Sequence, residues 1–211
     1  MSQSLLRKCV MKLYYAPGAC SLASNITLRE AGIPFEAVKV DLRAKKTESG
    51  EDFTSINPKG YVPALRLDNG EVLTENIAVL TYIGDQNSAS KLTPAAGTTE
   101  RYRFAEWVGF INSEVHKPHG IFFNPAAGDD TKQISRSAIT RRYGWLQDVM
   151  STRQFVMGSQ FTAADAYLYT VLRWAPLAGL DIAQWPALKS YADRVAARSH
   201  VQEALRAEGL T

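Results

Sequence analysis

Periodicity changes character near residue 85, and that change limits the folds open to this chain. Before it, short strand-like runs alternate with helical ones. Residues 12–15 read as a strand, 21–31 as a helix ending at Gly32, and 35–40 as a second strand. A charged stretch over 43–52 is broken at Gly50, and Asn57-Pro58-Lys59-Gly60 is a turn. Residues 64–67 and 71–73 flank Asp68-Asn69-Gly70. That is a hairpin signal, because Asn and Gly tolerate the positive φ a tight turn demands. A helix over 75–85 follows. The order βαβ, a loose segment, then ββα implies a small mixed sheet covered by helices.

Beyond residue 99 no run reads as a strand. Phe104, Val108, Ile111 and Val115 are spaced four, three and four apart, one face of a helix, and Ile139, Tyr143, Leu146 and Met150 repeat the spacing. Pro118 closes the first of these helices at His116 and Lys117. Residues 163–175 are apolar nearly all round, which predicts a central buried helix. Trp185-Pro186 opens a last helix to about residue 198. Residues 86–99 have the Ser, Ala, Thr, Pro and Gly content of a connector. The expected fold class is α/β plus all-α: an extension over 1–10, a first domain over 11–88, a linker over 89–98 and a helical domain over 99–211.

Bulk properties exclude several classes. The 211 residues carry a net charge of +3, too mild to mark a nucleic-acid binder. No apolar run approaches the roughly 20 residues of a membrane span. Residues 1–10 lack the apolar core of a signal peptide. Two cysteines make no disulfide scaffold, which points to a reducing cytoplasm.

Chemistry concentrates at junctions. Cys20 stands between the first strand and the first helix, where unpaired N–H groups and the helix dipole favour a thiolate. No second cysteine lies two residues away, so an internal redox pair is excluded there; the alternative is an inert buried thiol. Cys9 lies in the extension and is read as inert. Tyr15 and Ser21 are hydroxyls beside Cys20. Residue types alone place Pro63 in trans at a strand start. Thr74 caps the helix after the hairpin, and Glu75 and Asn76 beside it could grip a zwitterionic amino-acid head. Lys45 and Lys46 read as solvated surface or a clamp on a ligand carboxylate. His116 and His119 have no acidic or thiol partner nearby in sequence, so no metal site is assigned. A histidine at a helix end is a common arrangement; the sharper reading turns His116 toward a cleft between domains. Thr162-Ala-Ala-Asp165 is a capping box, and Asp165→Ala is expected to cost roughly 1 kcal/mol or more. Phe110, Phe122, Phe123 and Trp174 read as core.

The order of these signals resembles bacterial glutathione transferases of the beta class. The likeness covers Met11 to Thr211 and is carried by Met11-Lys-Leu-Tyr-Tyr-Ala-Pro-Gly-Ala-Cys20-Ser-Leu-Ala-Ser, Asn57-Pro-Lys-Gly-Tyr-Val-Pro-Ala-Leu, Leu73-Thr-Glu-Asn, Glu114-Val-His-Lys and Phe161-Thr-Ala-Ala-Asp-Ala-Tyr. It implies a thioredoxin-like N-terminal domain, a helical C-terminal domain and a homodimer. It implies a cis Pro63, with the Val62 main chain pairing with the cysteinyl part of glutathione. Glu75 and Asn76 would hold the γ-glutamyl head, and Lys45 the glycyl carboxylate. Cys20 would lie near the glutathione sulfur with Tyr15, Ser21 and His116 around it. Ser113, Glu114 and Lys117 would line the same wall. Gly109 replaces a side-chain amide that some relatives use to touch glutathione. The implied activity is conjugation of glutathione, a co-substrate with no separate cofactor, to small hydrophobic electrophiles in detoxification. Nucleic acid and membrane are not expected partners. The alternatives are a glutathione-dependent disulfide reductase or peroxidase using Cys20, and a non-catalytic carrier of hydrophobic ligands.

Overall fold

The computed structural model describes residues 10–211. Cys9, and the expected extension apart from Val10, lie outside the described residues. Strand β1 (Met11–Tyr15) runs through the middle of a five-stranded sheet of order β3-β2-β1-β4-β5. It pairs in parallel with β2 (Phe35–Asp41) and antiparallel with β4 (Ala64–Arg66). β5 (Val72–Thr74) returns antiparallel along β4. The hairpin forms as the Asn-Gly pair predicts: Gly70 has φ +88°, and the Asn69 side chain accepts from the Glu71 N–H at 3.0 Å.

Alternation along β1 divides the core. Met11, Leu13 and Tyr15 face the main apolar cluster, while Tyr14 packs on the other face with Phe53 and Ile56. The stretch 43–52 holds a strand that periodicity cannot reveal, the two-residue β3 (Lys46–Thr47). Helix α1 (Leu22–Glu30) ends where Gly32 takes φ +64°. The N–H groups of Gly32 and Ile33 then return to the carbonyls of Arg29 and Leu28. Between β3 and β4 lies the single-turn α2 (Phe53–Ile56), and α3 (Asn76–Gln86) follows β5. The arrangement is the thioredoxin-like one that the resemblance implies.

The second half is helical. Thr98 caps α4 (Thr99–Phe110) by accepting from the Arg101 N–H at 3.3 Å. Helix α6 (Asp129–Ser151) buries Ile139, Tyr143, Leu146 and Met150. Helix α7 (Ala163–Leu172) is buried at every position, and α8 (Pro186–Ala196) follows. A further helix, α9 (Ser199–Ala207), buries Val201, Ala204 and Leu205 and packs on α1.

One expectation is corrected. Pro118 does not end the first helix of this half. The chain widens into a π turn over Ile111–His116 and continues as α5 (Lys117–Gly120). The Lys117 N–H donates to the Asn112 carbonyl, five residues back. Proline has no N–H to close the ordinary bond, and the wider turn absorbs that loss. His116 therefore sits inside a continuous helical path rather than at a helix end.

Candidate active site

The turn from β1 into α1 is held from the opposite end of the chain. Gly18 has φ +69°, its N–H donates to Glu208 Oε2 at 2.9 Å, and its carbonyl accepts from Trp174 Nε1 at 2.8 Å. Asn25 Nδ2 occupies the other Glu208 oxygen at 2.9 Å. Burial raises the Glu208 carboxyl above its ordinary value. Ser21 is fully buried, and its hydroxyl closes the turn by accepting from the Ala16 N–H at 3.2 Å. These contacts fix Cys20, the next residue back, where the two halves meet.

Cys20 is half-buried, and its Sγ donates to the Val62 carbonyl at 3.2 Å. Its own carbonyl accepts from Asn76 Nδ2 at 3.1 Å. Burial pushes the thiol up to about 12, outweighing the backbone hydrogen bonds at Cys20 and Ser21 that favour the anion. The expected thiolate is thus corrected: desolvation wins over the helix terminus, and the group is a neutral S–H donor. The Val62–Pro63 bond is cis, as the resemblance implies and contrary to the expectation from residue types. Among the described residues no hydrogen bond is made by the Val62 N–H.

The start of α3 also differs from expectation. Thr74 belongs to β5, and the residue at the cap position is Glu75, with φ +72°. A left-handed backbone at a glutamate is strained, and such strain gathers at functional sites. Among the described residues no side chain caps this helix. Glu75 Oε1 instead accepts from Lys59 Nζ and from the Tyr61 hydroxyl, both at 2.7 Å. These bonds, Lys59 first, hold the Glu75 carboxyl below the ordinary range. Asn76 Oδ1 accepts from Ser24 Oγ at 3.2 Å. Lys45, with φ +55°, donates to the Gly60 carbonyl at 2.6 Å and so braces the turn beside the site.

The opposite wall comes from the π turn and α7. His116 Nδ1 lies 2.6 Å from the Tyr167 hydroxyl, which donates to Asn112 Oδ1 at 2.9 Å. Burial lowers His116 to about 4, so its ring is neutral at physiological pH. His119, one turn on, is buried and used up by the Val115 carbonyl and the Tyr143 hydroxyl. Among the described residues no cluster of three or more His, Cys, Asp or Glu side chains could hold a metal.

Two adjoining cavities open here. The first, about 280 Å³, is the more polar, with Glu75, Asn76, Asn112 and Tyr167 in its walls. The second, about 430 Å³, is mostly apolar, with Pro17, Leu42, Phe123 and Trp174. Cys20, Tyr61, Val62 and His116 line both. Phe123 and Trp174, expected as core, form the apolar wall with their rings edge to face at 5.1 Å. The structure brings Cys20, Val62, Pro63, Glu75, Asn76 and His116 to the cavities. It does not bring Tyr15, whose strand position turns its ring into the core. Ser21 is locked in the turn behind Cys20. Ser113 and Lys117 are exposed, and Glu114 pairs with Arg142, because helical rotation carries them off the face that holds Asn112 and His116.

Comparison with known proteins matches this architecture. The model of the glutathione S-transferase N-terminal domain matches residues 9–85, and that of the C-terminal domain matches residues 110–199. The chain belongs to the glutathione S-transferase family. Glutathione S-transferase GstA of Escherichia coli O157:H7 is 42% identical over 200 residues, covering 95% of this chain and all of that one. A sphingomonad glutathione S-transferase complexed with glutathione superposes with a TM-score of 0.92 at 49% identity, over 95% of this chain and all of that one. The beta-class enzyme of Sphingomonas chungbukensis gives 0.92 at 46% identity, again over 95% and 100%.

Within this transferase, five site-forming residues escaped the sequence reading: Lys59, Tyr61, Asn112, Tyr167 and Glu208. Lys59 and Tyr61 flank Gly60 in a turn that composition marks as surface. Tyr167 sits on a helix apolar all round, where no periodicity singles out one side chain. At Gly109 an added Cβ would meet nothing within 4 Å, so the space for a larger side chain is open.

Proposed function

We propose that this glutathione transferase binds the tripeptide in the polar cavity and joins its sulfur to a small hydrophobic electrophile held in the apolar one. The observation that carries the reading is the pair of cavities meeting at Cys20, Val62 and His116. Both protein contacts to Glu75 fall on Oε1, which leaves Oε2 for the γ-glutamyl ammonium. The uncapped N–H groups of α3 suit the α-carboxylate beside it. The cysteinyl backbone pairs with the Val62 main chain as an added strand does. Lys45 Nζ has two protons left for the glycyl carboxylate once Gly60 is served.

The reaction splits the thiol S–H bond, forms a sulfur–carbon bond and expels the leaving group with its electron pair. Once the cysteinyl N–H of glutathione takes the Val62 carbonyl, the neutral Cys20 S–H turns from that carbonyl to the glutathione thiolate and donates a hydrogen bond to it. A thiol raised to about 12 is a poor nucleophile at neutral pH, which disfavours a reductase working through Cys20. Cys20→Ala is accordingly expected to keep part of the conjugation activity and to lose what weak thiol–disulfide exchange so high a thiol allows. Residues 11–88 carry the tripeptide site and 99–211 the second wall, joined by 89–98. A homodimer acting in the cytoplasm on electrophilic toxicants completes the proposal. Among the described residues no helix is long and apolar enough to cross a membrane.

Calorimetry with glutathione, followed by turnover of an aryl halide, tests the reading. Binding heat and conjugate formation are expected. Absence of heat at millimolar glutathione with folded protein would end it.

A further inference from the structure

A hydroxyl group has one proton to give, and at Tyr167 that fact decides the state of His116. The Tyr167 oxygen lies 2.6 Å from His116 Nδ1 and 2.9 Å from Asn112 Oδ1. An amide oxygen carries no proton, so the contact with Asn112 uses the phenol proton. The contact with His116 then needs its proton from the ring, and Nδ1 must be the protonated nitrogen. The phenol therefore gives one hydrogen bond, to Asn112, and receives one, from His116.

Nε2 is left as the nitrogen with a lone pair. Among the described residues it has no hydrogen-bond partner, yet no buried side-chain nitrogen or oxygen is unpartnered, so Nε2 is open to the cavity that His116 lines. His119 provides an internal contrast. Its Nδ1 gives a proton to the Val115 carbonyl at 2.7 Å, and its Nε2 accepts from the Tyr143 hydroxyl at 3.0 Å. The two rings share a tautomer, but His119 spends both nitrogens inside the protein and His116 keeps one free.

We propose that Tyr167 and Asn112 are positioning residues that hold His116 as its Nδ1–H tautomer, so that Nε2 accepts the glutathione thiol proton during conjugation. The chemical half of this statement rests on the transferase reading above; the tautomer half does not. The proton passes from sulfur to Nε2 as the S–H electron pair forms the bond to the electrophilic carbon, because a ring held at about 4 takes a proton from the thiol only as that bond makes the S–H acidic. The leaving group departs with its own pair, and Nε2 later returns the proton to water. The Nδ1–H bond to Tyr167 strengthens as the ring becomes cationic, with Asn112 taking up the aligned phenol dipole.

The tautomer is directly observable. The chain has three histidines, so nitrogen-15 spectra of the labelled full-length protein are simple, and His116→Gln assigns the signal. Wild type is expected to show a pyrrole-type Nδ1 and a pyridine-type Nε2. In Asn112→Leu the phenol proton loses its acceptor and turns to His116, which inverts the pattern with Tyr167 intact. Asn112→Asp, again an acceptor, restores it. Tyr167→Phe is expected to lower kcat about 10- to 100-fold with KM for glutathione within about 2-fold. If that variant does not fold, the Asn112 pair still decides the matter. A pyridine-type Nδ1 in wild type, or an unchanged pattern in Asn112→Leu, would overturn the proposal. The predicted tautomer in a protein that conjugates nothing would instead sink the transferase reading and leave the relay standing.

Discussion

Helices α3 and α7 are both led in by a threonine, Thr74 or Thr162, with an acid after it, Glu75 or Asp165, and they end up doing different work. At α7 the threonine and the acid form the full capping box. Asp165 is completely buried and accepts from the N–H groups of Val156 and Thr162, the Thr162 hydroxyl and Tyr191. At α3 the threonine stays in the strand, the acid takes a left-handed backbone, and its carboxylate lies in the open beside a cavity. One helix start has spent every polar group on the fold. The other has kept first-turn N–H groups and one carboxylate oxygen unspent, at the cost of backbone strain. A saturated terminus is structural, and an unsaturated strained one beside a cavity is a binding site.

The largest expected effect tests the saturated end. Asp165→Ala strands two buried N–H groups, each worth about 1–3 kcal/mol, so stability should fall by about 3 kcal/mol or more. For a chain of this size that is a drop of roughly 6–12 °C in Tm. Scanning calorimetry showing a shift under 2 °C would mean that the buried carboxylate is not what holds α7. Thr162→Ala should follow with about 1 kcal/mol.

Glu75 should behave in the opposite way. Glu75→Ala removes a charged contact to the ligand, and glutathione affinity should drop about 10- to 100-fold, matching the roughly 1.5–3 kcal/mol of a charge-assisted hydrogen bond. Its Tm should move less than 2 °C, because the pairs it makes with Lys59 and Tyr61 are exposed. A variant that binds normally but melts early would reverse the assignment of the two termini.

Acidity separates the two carboxylates by sign. Burial raises Asp165 to about 6, so the native state holds its proton more tightly than the unfolded chain does. Its contribution is therefore present below the ordinary value of 3.8 and is lost as pH rises toward 6. Glu75 is held low, so its smaller contribution is present above the ordinary carboxylate value and is lost as pH falls. In denaturant melts from pH 4 to 7, the stability gap between wild type and Asp165→Asn should narrow as pH rises, and that for Glu75→Gln should widen slightly. Gaps that run in parallel would show that the two carboxylates differ less in environment than their burial implies.

Much of this contrast was legible in the residues, and the remainder was hidden for stated reasons. The capping box at Thr162 is a local pattern, and local hydrogen bonds follow local spacing. Thr74 offered the same local cue and was misread, because pairing with β4 claims it for the sheet. The helices with a four-three-four apolar repeat formed where expected, whereas the π turn at Ile111–His116 leaves the repeat intact and is invisible to it. Helix α9 carries apolar Val201, Ala204 and Leu205, but at nine residues it offers little periodicity. Glu208 contacts Gly18 across 190 residues, a pairing that no spacing rule can find. Tyr167 was hidden by the uniform burial of α7, where the one side chain that reaches the site looks like its neighbours.

The smallest expected effect is the most discriminating between fold and sequence pattern. If Thr74 were a cap, Thr74→Ala would cost about 1 kcal/mol, as at Thr162. Among the described residues its hydroxyl accepts only from Lys59 Nζ at 3.0 Å, on the surface, and no first-turn N–H of α3 reaches it. The loss should be a few tenths of a kcal/mol, within the range of an exposed contact. Chemical denaturation of the two alanine variants side by side measures the difference. Equal losses at both positions would restore Thr74 as a cap and would remove the free N–H groups to which the γ-glutamyl carboxylate is assigned.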